Sequence, residues 1–302
     1  LTQHLGRNNL HEPLQSAYRR SHSTETALTQ VHDHITRSMG NRRVVLLVLF
    51  DLSAAFDTVS HQLLLRCLEN CGVKDTALCW FTSYLSLRRQ IVTVHDKRSS
   101  PKDLSTGVPQ GSVLGPVLFN IYTSTLGHLL RKHKVSYHLY ADDTQIYIDT
   151  TTELYTSAIQ TLEKCIKCVQ KWMQDRQLKM NDAKTEFIVF ASRELAKRLP
   201  SPLQLCVGSH LIQAKDSVRN IGVMFDSRMT LERHVNYVCR SAFLQLRAIA
   251  KVTAFTNRQT LEVIIHAILL HLDLIFRTQC YVLLVKNCSA NFSLSKTLQH
   301  AF

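Results

Sequence analysis

The run VVLLVLFDL, from Val44 to Leu52, constrains the fold of this 302-residue chain most strongly. A run this short, rich in Val and Leu, favours a β-strand over a helix. Because apolar residues stand at successive positions, both faces of the strand should be buried. Its one charged residue, Asp51, comes near the end. The sequence therefore predicts a buried strand that ends in a carboxylate.

A second carboxylate pair stands in an unexpected place. In HLYADDTQIYI, apolar and aromatic residues flank Asp142 and Asp143. Adjacent like charges repel, and burying them is costly. We predict a strand, a tight turn and a second strand, with the two carboxylates at the tip. If this hairpin neighbours the strand that ends at Asp51, three carboxylates converge at one edge of a sheet.

Such a cluster is costly alone, but a divalent cation relieves the cost, and Mg²⁺ prefers carboxylate and phosphate oxygens. Two ions about 3.5–4 Å apart can activate an attacking hydroxyl and stabilise a leaving oxygen in phosphoryl displacement. The cluster thus suggests a nucleotidyl transferase. Taken separately, the Asp142–Asp143 pair also fits a solvated turn, and Asp51 fits a residue that caps a helix.

The charge balance indicates the class of partner. Lys and Arg number 36 against 23 Asp and Glu, a net charge of +13. This excess suits nucleic acid or an anionic membrane. The longest apolar stretch, residues 263–276, is short and interrupted by charged and His residues, so nucleic acid is favoured. We therefore expect no membrane partner.

The cysteine usage suggests an intracellular protein. Nine Cys are scattered along the chain without a signal peptide, which is typical of reduced thiols. Cys165 and Cys168 form one CxxC, which we interpret as two positions on a helix face. His32 and His34 are expected on the solvated surface. The nucleus and the cytoplasm are both compatible with this reading.

The periodicity predicts both helices and strands. Helices are expected at 21–39, within 57–72, at 75–87, after Pro116, at 150–174 and in two segments within 228–277. Strands are expected at 44–52, 90–96, 184–191 and around 203–225, besides the hairpin at 138–148. We predict a turn at 97–103, a linker at 192–202 and a capping box made by Thr150 and Glu153.

Six ordered segments give the chain a family resemblance. QSAYRRSHSTETAL, FDLSAAFDTVSH, GVPQGSVLGPVLFNIY, YADD, LKMNDAKTEFIVF and VRNIGVMFDSRMTLERHV resemble, in this order, the motifs of reverse transcriptases of non-LTR (LINE-type) retrotransposons. The likeness extends over nearly all of residues 9–250. It implies an α+β, right-hand polymerase fold with an antiparallel palm sheet. We assign 1–226 to fingers and palm, 227–277 to thumb-like helices and 278–302 to a divergent tail.

The resemblance also implies catalytic roles. Asp51 and Asp142 would be the main ligands of two Mg²⁺ ions, with Mn²⁺ as an alternative, and Asp143 would be a further acidic ligand. Lys184 matches a lysine that could neutralise or protonate the departing pyrophosphate. A surface lysine without such a role is the alternative for Lys184.

Further residues would bind substrates. Phe56 matches a bulky residue under the sugar, where a ring would clash with a ribose 2′-OH, although a core aromatic fits its spacing too. Gln110 and Gly111 match a pair that contacts the incoming nucleotide and the template. Arg19 matches an arginine that could contact triphosphate or template, and Ala141 would leave room for the primer end.

The implied reaction is RNA-directed DNA synthesis, with dNTPs, an RNA template, a DNA primer and the RNA–DNA hybrid as partners. Residues 271–302 depart from the family pattern, which keeps open a decayed, inactive remnant that at most binds nucleic acid. A domesticated RNA-binding or splicing-associated relative is a third reading. The sequence leaves the oligomeric state undetermined.

Overall fold

The structure, a computed structural model, describes residues 1–53, 55–109, 111–181, 184–252, 255–257, 259–260 and 262–264. The predicted tail at 278–302 and the second helix expected within 228–277 therefore lie wholly or mostly outside the described residues. Every helix among the described residues is too short or too polar to span a lipid bilayer.

Nine helices are assigned within the described part: α1 (Thr2–Arg7), α2 (Thr24–Gly40), α3 (His61–Asn70), α4 (Asp75–Leu85), α5 (Gly115–Thr123), α6 (Leu126–Lys132), α7 (Tyr155–Asp175), α8 (Arg193–Ala196) and α9 (Glu232–Val252). The strands are β1 (Val44–Phe50), β2 (Leu52–Ser53), β3 (Arg89–Gln90), β4 (Thr93–Val94), β5 (Lys97–Arg98), β6 (Lys102–Asp103), β7 (Ser136–Tyr140), β8 (Asp143–Thr150), β9 (Lys179–Met180), β10 (Glu186–Phe190), β11 (Gln204–Val207), β12 (His210–Gln213), β13 (Ser217–Asn220) and β14 (Val223–Asp226).

Four strands form the central sheet, in the order β10-β1-β8-β7 with antiparallel neighbours. β1 is an inner strand of this sheet, and every one of its seven residues is buried. Its even-numbered residues face a core that also contains residues of α3, α5 and α7. Its odd-numbered residues face a second core, built with α2, β13 and β14. The prediction of a strand buried on both faces is therefore confirmed.

Most long elements lie where the periodicity predicts them, but some local predictions are wrong. Residues 90–103 do not form one strand and one turn; they form short paired strands, β3 with β6 and β4 with β5, all exposed. α7 begins after Leu154 without a side-chain cap, and Glu153 accepts from Thr152 Oγ1 instead of completing a box with Thr150. The proposed linker contains the short helix α8, capped by Ser192.

The prediction of two surface histidines is also wrong. His32 is buried on α2, with only 3% of its surface exposed. His34 is half-buried, where its ring packs edge-on against Tyr147 and Nε2 lies 3.5 Å from Asp149 Oδ1. His34 thus packs against β8, and His32 is covered as well, so α2 buries polar residues besides its apolar ones. Cys165, by contrast, lies on a helix as predicted, buried in the core on α7.

A third histidine gives a pH-dependent stability. His138 on β7 is 1% exposed, and its Nε2 lies 2.8 Å from Ser16 Oγ. Burial, assisted by the charge of His22, lowers the pKa of His138 from 6.5 to about 4. The unfolded chain therefore binds a proton that the folded chain excludes. Stability from neutral His138 is fully present above about pH 6.5 and is lost as the pH falls toward about 4.

We expect the free energy of unfolding to fall by about 2 kcal/mol between pH 7.5 and pH 5 because of this residue, since one pKa unit corresponds to about 1.4 kcal/mol. Urea unfolding of the natural chain and of His138→Gln at both pH values measures the effect. Other titrating groups cancel in the difference between the two proteins. The same pH dependence in both, within about 0.5 kcal/mol, would contradict the assignment.

Candidate active site

The central sheet brings the three predicted carboxylates to one edge. β1 and β8 are antiparallel, and their register pairs Phe50 with Thr144. Asp51 and Asp143 therefore occupy the next position across the two strands. The β7–β8 hairpin pairs Tyr140 with Asp143, so its loop consists of two residues, the second of which is Asp142. The convergence that the sequence predicts is confirmed at the level of strand register.

The carboxylates also interact electrostatically. Burial, together with the neighbouring charges of Asp142 and Asp51, raises the pKa of Asp143 to about 6, and Lys184 opposes this shift. The pKa of Asp142 is raised as well, first by burial and then by Asp51. Asp142 and Asp143 therefore cost more to ionise, partly because other carboxylates are near them. Negative charge is concentrated at this edge of the sheet, and a nearby positive charge would stabilise it.

A lysine supplies that counter-charge in the structure. Lys184 Nζ lies 2.8 Å from Asp51 Oδ2, and its side chain is 69% exposed. The backbone reinforces the arrangement, because Asn181 N donates to Asp51 O and Lys184 N donates to Asn181 O. β9 pairs with β2 directly beside Asp51. The segment that carries Lys184 is thus attached to the segment that carries Asp51.

A cavity of about 350 Å³ opens beside these groups, and two residues that sequence reasoning missed also line it. Glu186 begins β10, where its carboxylate lies 2.6 Å from Lys215 Nζ. Arg219 lies on β13, and its guanidinium carbon is 5.8 Å from the centre of the Tyr237 ring. The sequence does contain a sign of Glu186, because residues two apart in an extended segment point to the same face and Glu186 is two residues after Lys184. No local pattern marks Arg219, because β13 belongs to a separate two-stranded sheet.

Phe56 stacks on a core aromatic. Its ring centre lies 4.5 Å from that of Phe119, with 26° between the planes, and its side chain is half-buried. Phe56 O also accepts from Val108 N, at the start of the glycine-rich loop. Packing in the core is therefore an observed role of this ring, and discrimination against ribose stays a prediction.

The glycine-rich loop passes close to the segment after β2. Gly107 has φ +92°, and a Cβ there would lie 3.0 Å from Asp57 O, so a side chain would be excluded both by backbone conformation and by contact. Gly111 has φ +79° with open space around the position of a Cβ, which leaves its exposed backbone accessible to a ligand. Tyr84 and Ser112 are joined by a 2.6 Å hydrogen bond between their hydroxyls. The predicted partner of Gly111, Gln110, lies outside the described residues.

Arg19 is occupied by the N-terminal segment. Its Nη1 donates to the backbone oxygens of Glu12, Pro13 and Gln15 at 2.9, 3.2 and 3.0 Å. These bonds fix the loop before α2, and a contact of Arg19 with triphosphate or template stays a prediction. Ala141 is the first residue of the hairpin loop, directly before Asp142, and has φ +55°.

The donor chemistry at the sheet edge suits a hard divalent cation, because carboxylates converge there and the pKa values of Asp142 and Asp143 are raised. Among the residues that the structure describes, however, no group of three His, Cys, Asp or Glu is arranged to hold a metal ion. In this arrangement the ammonium of Lys184 contacts Asp51 Oδ2, one of the oxygens that a metal would use.

Comparison with known proteins gives a consistent match. The sequence profile of the family described as "Reverse transcriptase (RNA-dependent DNA polymerase)" matches residues 1–225. The chain is 25% identical over 269 residues to the probable RNA-directed DNA polymerase from transposon BS of Drosophila melanogaster, covering 84% of this chain and 28% of that protein. It is 26% identical over 252 residues to the RNA-directed DNA polymerase from mobile element jockey of the same species, covering 82% and 27%. The chain thus spans little more than a quarter of each relative.

Solved structures show the same fold at low identity. Apo telomerase from Candida tropicalis, truncated from the C-terminal domain, has a TM-score of 0.52 at 12% identity, covering 76% of this chain and 42% of that one. Telomerase from the same organism in complex with a TWJ fragment of telomeric RNA has a TM-score of 0.54 at 11% identity, covering 99% and 48%. A mixed helix and strand fold of the reverse transcriptase and telomerase type is therefore established for this chain.

Proposed function

We propose that this chain, which belongs to the reverse transcriptase (RNA-dependent DNA polymerase) family, carries a nucleotidyl-transfer centre. The centre would be that of an RNA-directed DNA polymerase from a non-LTR retrotransposon. The observation that supports this most is the meeting of Asp51 with the Asp142–Asp143 loop at the β1–β8 edge. These residues are about 90 positions apart in the sequence and become neighbours only in the fold. The finer division into fingers, palm and thumb, with the boundaries given above, belongs to the same proposal.

Asp51 and Asp142 would hold the divalent cations, Mg²⁺ or Mn²⁺, with Asp143 as a further acidic ligand. Bound there, the cations would supply Lewis-acid activation of a primer 3′-hydroxyl and charge neutralisation at the phosphates of a dNTP. The raised pKa values of Asp142 and Asp143 support this assignment, because a cation relieves the repulsion that raises them.

Lys184 would exchange partners during the reaction. In the structure its ammonium neutralises Asp51 at 2.8 Å, and its exposed side chain is free to swing away when a cation takes over that oxygen. Released from Asp51, the ammonium would face the phosphates that leave the site. The aspartate network keeps this group protonated, because hydrogen bonding and attraction to Asp51 raise the pKa of Lys184. A charged lysine is therefore available to donate a proton or to neutralise pyrophosphate.

The remaining predicted residues would handle the substrates. Phe56 would lie under the deoxyribose, Gln110 and Gly111 against the incoming nucleotide and the template, and Ala141 at the primer end. Arg19 would reach triphosphate or template only by giving up carbonyl bonds in its own segment. We therefore propose that the main role of Arg19 is to stabilise the segment before α2.

An RNA template, a DNA primer and their hybrid are the proposed partners. The net charge of +13 favours binding to polyanions. α9 follows β14 and presents an outer face with Arg240, Arg247 and Lys251, which suits a helix that lies along a nucleic-acid backbone. The polymerase would act inside the cell, in the nucleus or the cytoplasm.

RNA-templated primer extension tests the proposal. The chain, a labelled DNA primer on an RNA template, Mg²⁺ and dNTPs should give extended products whose sequence follows the template. The same reaction with a scrambled template controls for terminal addition. Binding of the primer–template with no extension in either Mg²⁺ or Mn²⁺ would favour the inactive remnant instead.

A further inference from the structure

The segment before α2 adds a strand-like piece to the central sheet. Leu139 N donates to Leu14 O at 2.9 Å, and Ser16 N donates to Leu139 O at 3.0 Å. Gln15 and Leu139 therefore form a parallel bridge on the outer side of β7. This contact brings residues 14–16 alongside Leu139, two positions before Ala141, the first residue of the loop that carries Asp142.

The side chain of Gln15 continues this pairing along the loop. Ala141 N donates to Gln15 Oε1 at 3.0 Å, and Gln15 Nε2 donates to Ala141 O at 3.3 Å. The same Oε1 also accepts from Ala17 N at 2.9 Å. Gln15 is 3% exposed, so water does not compete for these bonds. The amide thus pairs with both backbone groups of Ala141, as a neighbouring strand would.

Ala141 needs such support. Its φ of +55° lies in the left-handed region, which L-residues with a Cβ rarely adopt. A two-residue hairpin loop that requires positive φ at its first position usually has glycine there. This loop has alanine, so contacts from outside the hairpin have to hold its conformation. Because Ala141 directly precedes Asp142, its conformation sets where the carboxylates of Asp142 and Asp143 point.

Gln15 is itself held firmly on both sides. The buried carboxylate of Glu12 receives two hydrogen bonds from Arg131, at 2.7 and 3.2 Å, and one from the Tyr137 hydroxyl at 2.6 Å. A Cβ at Gly127 would collide with this carboxylate, so glycine there leaves the space that Glu12 occupies. On the other side, Arg19 bonds the carbonyl of Gln15. The segment is therefore a rigid support and not a loosely attached strand.

We propose that Gln15 is a positioning residue for the catalytic loop: its side-chain amide fixes the peptide of Ala141 and so orients Asp142 and Asp143 for reaction. This inference rests on the proposed function. Gln15 acts through Ala141 and not by contact with a substrate. It couples the N-terminal segment to the reaction centre, so that loss of the coupling lowers the rate of chemistry and not the binding of nucleotide.

Gln15→Met tests the inference, because methionine has similar length but cannot form the two bonds with Ala141. Asn120→Leu is the matched control. Asn120 Nδ2 donates to Ala17 O at 2.9 Å, so this variant removes a hydrogen bond from the same segment without affecting Ala141. We expect the maximal extension rate of Gln15→Met to fall by about 10- to 100-fold, since small misplacement of a reacting group has effects of this order. The dNTP concentration for half-maximal rate should change by no more than about twofold in either variant, and Asn120→Leu should keep its rate.

Hydrogen–deuterium exchange of the peptide that contains Ala141 gives a readout independent of activity. The Ala141 amide should exchange at least about tenfold faster in Gln15→Met and unchanged in Asn120→Leu, because only the first variant loses its acceptor. If the natural chain extends no primer, the proposed function fails, and the exchange result still decides whether Gln15 holds the loop. Unchanged exchange at Ala141, or faster exchange with an unchanged extension rate, would overturn the inference.

Gln15→Glu is a second variant, for use if Gln15→Met does not fold. A carboxylate keeps an acceptor for the amides of Ala141 and Ala17, loses the bond to Ala141 O and places a buried charge opposite that oxygen. Its extension rate should lie between those of Gln15→Met and Asn120→Leu. An extension rate of Gln15→Glu equal to that of the natural chain would also overturn the inference.

Discussion

Asp142→Asn is expected to lower the rate of RNA-templated primer extension by on the order of 10³-fold, an effect typical of removing one charge-stabilising group from a preorganised site. Asparagine has almost the shape of aspartate but lacks the charge that holds a divalent cation. The substitution also removes the electrostatic repulsion of Asp142 with Asp51 and Asp143. This repulsion contributes to the raised pKa values of Asp142 and Asp143 in the natural chain. We therefore expect the variant to be at least as stable as the natural chain while losing activity.

Asp149→Asn is the matched control for this prediction. Asp149 lies on β8 as well, but at the opposite end from the site, where it pairs with Arg43 and His34. Loss of these pairs should reduce the free energy of unfolding by about 1 kcal/mol or less and leave extension within about twofold. Single-nucleotide incorporation under saturating dNTP measures both variants. Extension by Asp142→Asn at the rate of Asp149→Asn would remove Asp142 from the catalytic centre.

Phe56→Ala is expected to increase incorporation of ribonucleotides relative to deoxynucleotides by roughly 10- to 100-fold, since a steric difference of this size in a pocket has effects of that order. If the ring lies under the sugar, its removal makes room for the 2′-OH. The same substitution removes the stacking with Phe119, so the free energy of unfolding should also fall, by about 2–4 kcal/mol. The two effects have different causes and are measured separately, by competitive incorporation and by urea unfolding.

Phe119→Leu separates sugar selection from packing. Phe119 is fully buried and is the stacking partner of Phe56, so this variant disturbs the packing while the ring of Phe56 remains. It should lose stability with little change in the ratio of ribonucleotide to deoxynucleotide incorporation. An equal shift of that ratio in both variants would mean that Phe56 serves the core alone.

The central sheet was predictable because its main strand carries an unambiguous pattern. Apolar side chains at every position from Val44 to Phe50 favour a strand covered on both faces, and the structure has two cores there. The partners of β1 were not predictable from local sequence. β10 and β8 flank it, α7 packs in one core and α2 in the other, and no short stretch specifies this arrangement.

Local errors arose where tertiary contacts override a short motif. Thr150 and Glu153 have the spacing of a capping box, but Thr150 is the last residue of β8 and is buried, so the helix begins later. Residues 90–96 alternate like a strand, yet they form only short exposed pairs. Alternation alone therefore does not show that a face will be covered.

The sequence predicted the site residues that stand at the ends of strands. It did not predict the residues that reach the site from other segments of the chain. Asp51 and the Asp142–Asp143 pair stand out because charge interrupts apolar strands. Arg219 and Gln15 gave no such signal, because each reaches the site from a separate segment that only the fold brings near. The contact of Lys184 with Asp51 was also unforeseen, since the sequence supports a surface lysine equally well.

We propose that Asp51 and the Asp142–Asp143 loop share bound divalent cations. Local cleavage by Fe²⁺ in place of Mg²⁺, with ascorbate and peroxide, tests it directly, because hydroxyl radicals cut the backbone beside the bound ion. In the complex with primer–template and dNTP, we predict cuts at two places, near residue 51 and near residues 142–143, that excess Mg²⁺ suppresses together and that Asp142→Asn abolishes together. Cuts near only one of the two segments, or cuts at both that survive Asp142→Asn, would contradict the shared site.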